Sequence, residues 1–413
     1  MKKTRLILFL LIISLRVSSQ VIGRITMTLP AGNSETATPV SINLDKYTFL
    51  PADSLILTEV AGNTITILPF QVNDKNGRML NWLVNPQNGK GNRVFQLIKA
   101  SKASKPISEE IKAVNQNGAI SFINAGQRLL SYQFQTVYPP SGIDTNYKRS
   151  GFIHPLLTPH GQVLTTIQPK DHYHHYGIWN PWTHTVFESD TVDFWNIKDH
   201  KGTVRFANFI SKTNGPVFSE IELLLEHVRF KKDGTERIAL NELQTIRVYR
   251  PQGENDYYIV DFISQLSCAS ESPLLIVAYR YGGLGWRATE EWTKENCEVI
   301  TSEGKTRKDT DGSKARWIAT QGILGNDYGG LLMMSYPANY NHPEPLRIWD
   351  EKSNGGRGDM FVNFAPTKDK DWLLEPGKTY TLKYRFLVYN GKMTNVKAEA
   401  AWQNFAKGIT ITK

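Results

Sequence analysis

The chain has 413 residues and a formal net charge of +9, from 48 basic and 39 acidic side chains. The basic residues are spread along the chain and form no dense stripe, which argues against nucleic acid as a partner. A chain of this length is long enough for two domains.

The first nineteen residues have the layout of a secretory signal peptide. A basic start precedes the apolar run 6–15, and small residues at 17–19 lead to Gln20. Because the run is too short to span a bilayer, we expect cleavage after Ser19 and a periplasmic or secreted protein that does not insert into a membrane. An uncleaved membrane anchor is the alternative. Cleavage removes four basic and no acidic residues, which lowers the net charge from +9 to +5.

Strand patterns dominate the rest of the chain. Short runs rich in Val, Ile, Tyr, Phe and Thr alternate with turn signals, and the best helical candidate is 395–407. We therefore predict an all-β fold. The predicted strands are 55–60, 63–69, 118–124, 129–137, 204–210, 220–230, 242–249, 257–265, 274–281, 330–335 and 379–389.

A Lys- and Ser-rich stretch at 101–108 is typical of a linker or an exposed loop. It separates a small N-terminal β domain, residues 20–108, which is long enough for a small β-sandwich, from a large β-rich domain, residues 109–413, in which we expect the active site. The two cysteines, Cys268 and Cys297, belong to the large domain. In an oxidising compartment they either pair or stay reduced, and the sequence leaves both outcomes open.

Seven of the nine histidines lie between positions 154 and 200, a window that would hold about one at the chain's average density. Packing does not readily explain this cluster, because a buried His ring needs partners for both nitrogens. The centre of the cluster is 171–182, with the sequence DHYHHYGIWNPW. The histidines are His154, His160, His172, His174, His175, His184 and His200.

A divalent metal site is one hypothesis for the cluster, although no cofactor is favoured. If 171–176 is extended, His172 and His174 point to one face and His175 to the other. That spacing suits two ligands of a metal ion with an open coordination position. The candidates for a third ligand are His154, His184, Glu188 and Asp193.

Acid–base catalysis is the competing hypothesis, and it needs no metal. Histidine works as a general acid or base near neutral pH when a carboxylate sets its tautomer. We predict His174 or His175 in this role, with Glu344 as the carboxylate partner and Asp193 as the orienting group. The prolines on both sides of Glu344 favour an extended backbone, so His342 should face the same way.

The aromatic and polar side chains near the cluster suit a sugar, whose C–H faces stack on rings while its hydroxyls form hydrogen bonds. Arg280 and Arg287 flank a glycine-rich turn that lacks the strand-to-helix setting of a phosphate loop, so we expect Arg280, or alternatively Arg287, to bind a carboxylate or sugar hydroxyls. The alternatives are a small second core for the aromatic residues and a surface ion pair for the arginine. The predicted substrate-binding residues are His172, Tyr176, Trp179, Trp182, Asn196, Arg280 and His342.

Several motifs resemble a bacterial family labelled methane oxygenase PmoA-like, whose members tend to occur in polysaccharide-degrading bacteria. The resemblance implies a carbohydrate substrate. The C-terminal run 374–377 is also similar to the closing strands of galactose-mutarotase-type proteins, which implies a large antiparallel two-sheet sandwich (supersandwich). The motifs that carry the first resemblance are HPL at 154–156, TP at 158–159, DHYHH at 171–175, VDFWN at 192–196, TSEGKT at 301–306 and VNFAP at 362–366.

The leading hypothesis is an exported carbohydrate-active enzyme for polysaccharide utilisation. It would hydrolyse, eliminate or epimerise a glycoside or oligosaccharide by acid–base catalysis, without an organic cofactor. A non-catalytic glycan-binding protein is the first alternative. The second is a metal-dependent oxygenase or hydrolase built on His172 and His174.

Overall fold

The computed structural model describes residues 20–28, 36–75, 77–86, 92–100, 110–251 and 256–412. The predicted signal peptide at 1–19 and the predicted linker at 101–108 lie outside the described residues. Within the described ranges no helix has the length and apolarity needed to cross a membrane.

Seven strands form two small sheets at the start of the chain. The sheets follow the strand orders β1-β7-β3-β4 and β2-β6-β5. They share a core in which the rings of Trp82 and Phe95 meet edge to face at 5.5 Å. The strand bounds are β1 (Val21–Thr28), β2 (Thr38–Asn43), β3 (Leu55–Ala61), β4 (Thr64–Leu68), β5 (Gln71–Asn73), β6 (Met79–Val84) and β7 (Asn92–Lys99).

The remaining strands build the large part of the molecule. Helical segments are few, and the helix predicted at 395–407 is observed at Asn395–Ala406. The strand bounds are β8 (Lys112–Gln116), β9 (Ala119–Asn124), β10 (Gln127–Gln133), β11 (Phe152–Leu156), β12 (Ile178–Trp179), β13 (Thr185–Phe187), β14 (Asp190–Val192), β15 (Gly202–Thr213), β16 (Phe218–Phe230), β17 (Glu236–Tyr249), β18 (Tyr257–Cys268), β19 (Leu274–Ile276), β20 (Gly285–Arg287), β21 (Cys297–Thr301), β22 (Lys314–Ala315), β23 (Trp317–Leu324), β24 (Asp327–Ser335), β25 (Glu344–Ile348), β26 (Phe361–Phe364), β27 (Trp372–Leu374), β28 (Thr379–Asn390) and β29 (Thr410–Thr412). The helices are α1 (Ser353–Gly356) and α2 (Asn395–Ala406), with short 3-10 helices at Leu44–Lys46, Ala52–Ser54, Thr145–Tyr147 and Ile197–Asp199.

Two antiparallel sheets pack face to face and confirm the predicted sandwich. The first has the order β22-β25-β26-β20-β12-β11-β10-β9-β8, and the second β15-β16-β17-β18-β28-β24-β23-β21. Phe122 from the first sheet and Phe262 from the second belong to one continuous core. The Tyr132 hydroxyl bridges the sheets by donating to Oε1 of Gln244 at 2.7 Å. A third sheet, β14-β13-β19-β27, adds its buried side chains to the same core.

Alternation along the strands gives each large sheet an outer face as well. On the second sheet, Met333 points into the sandwich core, whereas Met334 packs outward against α2. The N-terminal sheets also contact this sheet, since Lys75 forms ion pairs with Glu220 and Glu222 of β16. The C-terminal strand β29 then pairs with β1, so the chain returns to the N-terminal sheet.

Both cysteine thiols are free. The Sγ atom of Cys268 contacts the carbonyl of Leu374 at 3.3 Å, and that of Cys297 contacts the carbonyl of Thr293 at 3.1 Å. Burial raises the pKa of Cys297 to about 11, so its thiol keeps the proton at neutral pH.

Candidate active site

The histidine-rich segment before β12 forms turns rather than a strand. The backbone N–H of His172 donates to the carbonyl of Pro169, and that of His175 donates to the carbonyl of His172, both at 2.9 Å. The predicted alternation of side chains is therefore wrong. Instead, the rings of His172, His174 and His175 lie together, with centroids 4.8 to 5.4 Å apart.

These rings line a cavity of about 490 Å³, a volume in the range of small-molecule sites. The cavity lies on the outer face of the first sheet, where β25, β26, β20 and β12 are neighbours. Turns and loops at the ends of these strands supply most of the lining. The lining residues are His172, His174, His175, Trp195, Asn196, Arg280, Tyr281, Arg347, Trp349, Ser353, Asn354 and Phe361.

An aromatic cluster forms the floor of this cavity. Trp195, Trp349 and Phe361 line the cavity and also belong to a buried apolar cluster on the outer face of the sheet. His175 stacks on Phe361 with the ring centroids 5.0 Å apart. A Cβ atom at Gly285 would lie 2.7 Å from the Trp195 ring, so the glycine lets this ring lie against the sheet. The aromatic residues thus form a second core, and the three that also line the cavity lie at its surface.

Asp171 and His172 form a carboxylate–imidazole pair. Oδ2 of Asp171 lies 2.8 Å from Nδ1 of His172, and it also accepts a hydrogen bond from Asn354 at 3.2 Å. Burial alone would raise the pKa of Asp171, but the hydrogen bond from His172 and the charge of Arg287 hold it below its ordinary value. An ionised carboxylate only accepts hydrogen bonds, so Nδ1 carries the proton and Nε2 is left to accept one.

His174 and His175 are neutral at neutral pH. Burial, with the charges of His172 and Arg149, lowers the pKa of His174 to about 4. Burial and the neighbouring His174 and Arg287 hold the pKa of His175 well below its ordinary value. Nδ1 of His175 is buried and has no hydrogen-bond partner among the described residues. These two rings therefore offer hydrogen-bonding groups rather than a positive charge.

Asp193 holds a neighbouring loop in place instead of contacting a histidine. Its Oδ1 accepts the backbone N–H groups of Trp195 and Asn196, both at 2.8 Å, and its Oδ2 accepts the side-chain amide of Asn196 at 2.7 Å. Oδ1 of Asn196 in turn accepts the hydroxyl of Tyr281 at 3.2 Å. The predicted orienting residue therefore orients Asn196, which lines the cavity, rather than a histidine.

Two arginines line the cavity, and they differ in their partners. Nη1 of Arg347 forms an ion pair with Asp311 at 2.7 Å. The guanidinium of Arg280 lies over the rings of Tyr279 and Tyr281, at 5.7 and 5.5 Å from their centroids. Within the described ranges no carboxylate forms an ion pair with Arg280, so the surface ion pair considered as its alternative role is not observed.

Three aromatic residues predicted to bind substrate are buried outside the cavity lining. The hydroxyl of Tyr176 donates to the carbonyl of Tyr147, and Trp179 packs beneath His175 at 5.2 Å. Trp182 belongs to the sandwich core and meets Trp372 edge to face at 5.7 Å. Only Trp182 covers the inner face of the sheet, whereas Tyr176 and Trp179 belong to the same outer cluster as the cavity-lining tryptophans and do not reach the lining. Sequence alternation does not reveal which rings of one cluster reach its surface.

His342 and Glu344 lie together, as predicted, but away from the histidine cluster. The hydroxyl of Ser335 contacts both side chains, Nδ1 of His342 at 3.2 Å and Oε1 of Glu344 at 2.6 Å. Asn339 and Tyr384 also donate to the Glu344 carboxyl group, at 2.8 and 2.9 Å. The structure therefore does not bring Glu344 to His174 or His175. The cavity is at the other end of β25, which leads to Arg347 and Trp349.

Because the carboxyl group of Glu344 is buried, we expect the folded protein to become less stable as the pH rises. Burial raises its pKa to about 7 from an ordinary 4.5, despite three donated hydrogen bonds. Between these two pKa values the folded protein keeps a proton on Glu344 that the unfolded chain releases. The stabilisation is therefore complete below the pKa of Glu344 in the unfolded chain, and it is lost as the pH rises towards 7. We expect this group to cost roughly 3 kcal/mol of unfolding free energy between about pH 4.5 and pH 7.

Urea unfolding of the wild type and of Glu344→Gln at about pH 5 and about pH 8 measures this cost. The variant never ionises at this position, so its unfolding free energy should decline less than that of the wild type. Glu271→Gln, at an exposed position, is the matched control and should follow the wild type. Parallel declines in the wild type and Glu344→Gln would contradict the prediction.

The residues considered as further metal ligands do not converge on the histidine pair. Nδ1 of His154 contacts Thr165 at 2.9 Å, His184 stacks on Tyr279 at 3.7 Å, and Glu188 pairs with Arg229 at 3.1 Å. Among the described residues, no three His, Cys, Asp or Glu side chains form a group that could hold a metal ion.

The chain is similar to a solved heparan sulfate lyase, HepC from Pedobacter heparinus, with 10% sequence identity and a TM-score of 0.35. The match covers 71% of this chain but only 38% of the lyase. At this identity and TM-score the likeness says nothing about the activity of the present chain. No curated protein matches the chain.

The resemblances to PmoA-like and galactose-mutarotase-type proteins gain no support from these comparisons and stay predictions. A family model does match residues 119–403, which is more than half of the chain and includes the whole lining of the cavity. Its description is "Family of unknown function (DUF6807)". The chain therefore belongs to the DUF6807 family of unknown function.

Proposed function

We propose that the cavity binds a carbohydrate and that His172, oriented by Asp171, removes a proton from it. The hydrogen bond between Asp171 and Nδ1 of His172, at 2.8 Å, carries this proposal. It leaves the second ring nitrogen of a cavity-lining histidine as the proton acceptor. Asp171 takes the role predicted for Glu344, because it contacts a cavity histidine and Glu344 does not.

The composition of the cavity supports a sugar ligand. Tyr281 offers a partly exposed ring for stacking above a floor to which Trp195 and Trp349 contribute, while Asn196 and Asn354 offer amide groups that both donate and accept hydrogen bonds. A few polar groups set around an aromatic floor fix the orientation of a ligand that has both apolar and hydroxyl-bearing surfaces. The resemblance to a family from polysaccharide-degrading bacteria points to the same class of ligand.

The lining favours proton abstraction over hydrolysis. Most glycoside hydrolases place two carboxyl groups on either side of the scissile bond. None of the described residues that line this cavity is an Asp or a Glu. Elimination and epimerisation instead begin when one base takes a proton from a sugar carbon, which the Asp171–His172 pair can do. Of the three predicted reaction types, these two fit the site better.

A panel of oligosaccharides offered to the full-length protein tests the proposal. We expect at least one of them to bind and to give a product that mass spectrometry and NMR detect. Asn196→Ala should weaken binding of that sugar about 5- to 10-fold, the value of one hydrogen bond. Asn208→Ala, at an exposed position of β15, is the matched control and should bind like the wild type.

Three results would contradict the proposal in different ways. If no oligosaccharide binds, the carbohydrate ligand is wrong. If a sugar binds equally well to Asn196→Ala, it binds outside this cavity. If a sugar binds in the cavity and no product forms, the protein is a glycan-binding protein and the catalytic role of His172 is wrong.

A further inference from the structure

The cavity carries a positive charge that no acidic lining residue offsets. Of the described residues that line it, two are arginines and none is acidic. Asp311 neutralises Arg347 from outside the cavity, at 2.7 Å. Arg280 forms no ion pair with the described carboxylates, and its positive charge is available to a ligand.

The surroundings of Arg280 position its guanidinium group for recognition. The rings of Tyr279 and Tyr281 lie within 6 Å of the guanidinium carbon, a distance at which ring faces attract a cation. Tyr281 is fixed in turn by its hydrogen bond to Asn196, which also lines the cavity. A guanidinium group matches the two oxygens of a carboxylate with paired hydrogen bonds.

We propose that the ligand of this site is a sugar acid, a uronic acid unit of an oligosaccharide, whose carboxylate binds to Arg280. This inference rests on the proposed function and specifies its substrate class. The neutral rings of His174 and His175 border the same space, and they add hydrogen-bond partners without repelling an anion.

The carboxylate also determines which proton His172 removes. The hydrogen on the carbon next to a carboxylate is the most acidic C–H bond of a uronic acid, and binding to Arg280 offsets the negative charge that develops there. His172 takes this proton, and the C–H electron pair forms a double bond to the next ring carbon. The bond between that carbon and its glycosidic oxygen breaks, and the oxygen leaves with the bonding electrons. That oxygen takes a proton from water, and His172 returns its own to the solvent. The reaction needs no oxidant or reductant.

Matched pairs of ligands test the substrate class directly. Oligomers of galacturonic, glucuronic and mannuronic acid are each compared with their methyl esters, which keep the skeleton and lose the charge. Calorimetry on the full-length protein should show at least one acid binding about 10-fold or more tightly than its ester, as expected for a charge-assisted pair. Product is followed by the ultraviolet absorbance of the double bond conjugated to the carboxylate.

Arg280→Gln should abolish the preference for the acid over the ester, because the free acid loses its counter-charge. Arg280→Lys should keep part of it. Arg24→Gln, at an exposed position of β1, is the control and should keep all of it. Measured melting temperatures ensure that the three variants are compared in the folded state.

The failures of the two proposals are distinguishable. If neutral sugars bind in the cavity and every acid binds no better than its ester, the sugar acid is wrong and the carbohydrate site stands. If Arg280→Gln keeps the acid preference, Arg280 is not the carboxylate-binding residue and the inference fails. If neither acids nor neutral sugars bind, the proposed function fails as a whole.

Discussion

Replacing Asp171 with Asn is expected to lower kcat on the sugar substrate by about 10²- to 10⁴-fold, the range for a displaced general base. The wild-type carboxylate accepts a hydrogen bond from Nδ1 of His172 at 2.8 Å and leaves Nε2 free to take a proton. An amide can instead donate to Nδ1, which moves the ring proton to Nε2 and blocks it as a base. Substrate affinity should change little, because Asp171 does not line the cavity.

The Asp359→Asn variant is the matched control for this prediction. Both Asp171 and Asp359 pair with Arg287 and Arg357, so each replacement removes one carboxylate from the same charged cluster. Only Asp171 contacts His172. We therefore expect similar losses of thermal stability in the two variants and a much larger loss of kcat in Asp171→Asn.

Equal losses of kcat in Asp171→Asn and Asp359→Asn would contradict this role. Asp171 would then act through Arg287 and the shape of the cavity wall, and His172 would need no oriented tautomer. Rescue by Asp171→Glu separates the two cases further, because a carboxylate that reaches Nδ1 should restore part of the turnover.

The sandwich could be predicted because its long strands carry their own pattern. Predicted strands at 220–230 and 379–389 are observed as Phe218–Phe230 and Thr379–Asn390. Apolar and β-branched residues recur along both strands on the face that packs into the sandwich core, which gives them a strand pattern. Shorter strands were harder to predict, since the run at 274–281 ends at Ile276, where its pairing with β13 stops.

The location of the site could also be predicted, but its arrangement could not. The density of histidines marked the segment 171–175, and three of them line the cavity. Their conformation depends on backbone turns that begin at Pro169 and on the positive φ of Gln168. The spacing of apolar and polar residues in the sequence does not indicate either feature. Asp171 was missed as a partner, although an Asp directly before the first His of the segment was a visible signal.

Trp349 and Tyr281 show the limit of sequence reasoning more clearly. They lie more than 100 residues beyond the histidines in the chain and reach the cavity only because β25, β26, β20 and β12 are neighbours in one sheet. Glu344 and Arg347 lie on the same strand, and from the sequence both are candidates for the site. Only Arg347 is at the end of the strand that borders the cavity. Strand order is a tertiary property, so one sequence does not distinguish these cases.

A histidine–glutamate pair is buried between the two large sheets. Nε2 of His227 lies 2.9 Å from Oε2 of Glu242, and both side chains are fully buried. Asn180 and Ser264 donate to Oε1 of the same carboxylate, at 2.9 and 2.7 Å. Burial alone would raise the pKa of Glu242, but the hydrogen bond and charge of His227 hold it below its ordinary value.

Replacing only one member of this pair should destabilise the protein strongly. Glu242→Leu leaves His227 buried without its partner, and we expect a loss of about 3–5 kcal/mol in the free energy of unfolding. His227→Leu strands the carboxylate and should cost a similar amount. The double replacement removes both partners and should cost much less than the sum, because an apolar pair of similar volume often substitutes for a buried polar pair. Urea unfolding of the four proteins measures the coupling.

The sign of the pH dependence gives a second test of the same pair. The pKa of Glu242 is lower in the folded protein than in the unfolded chain, where it is 4.5. Glu242 therefore stabilises the folded state at pH values above 4.5, and this contribution is lost as the pH falls through the pKa of the folded protein. The gap in stability between the wild type and the Glu242→Leu/His227→Leu double variant, in which neither position titrates, should therefore narrow in acid. The coupling would be contradicted if the stability losses of the two single variants added up to that of the double variant. It would also be contradicted if the difference in stability from the wild type widened in acid. Glu242 is also linked to the floor of the cavity, because Asn180, which donates to it, directly follows Trp179, and Trp179 packs beneath His175.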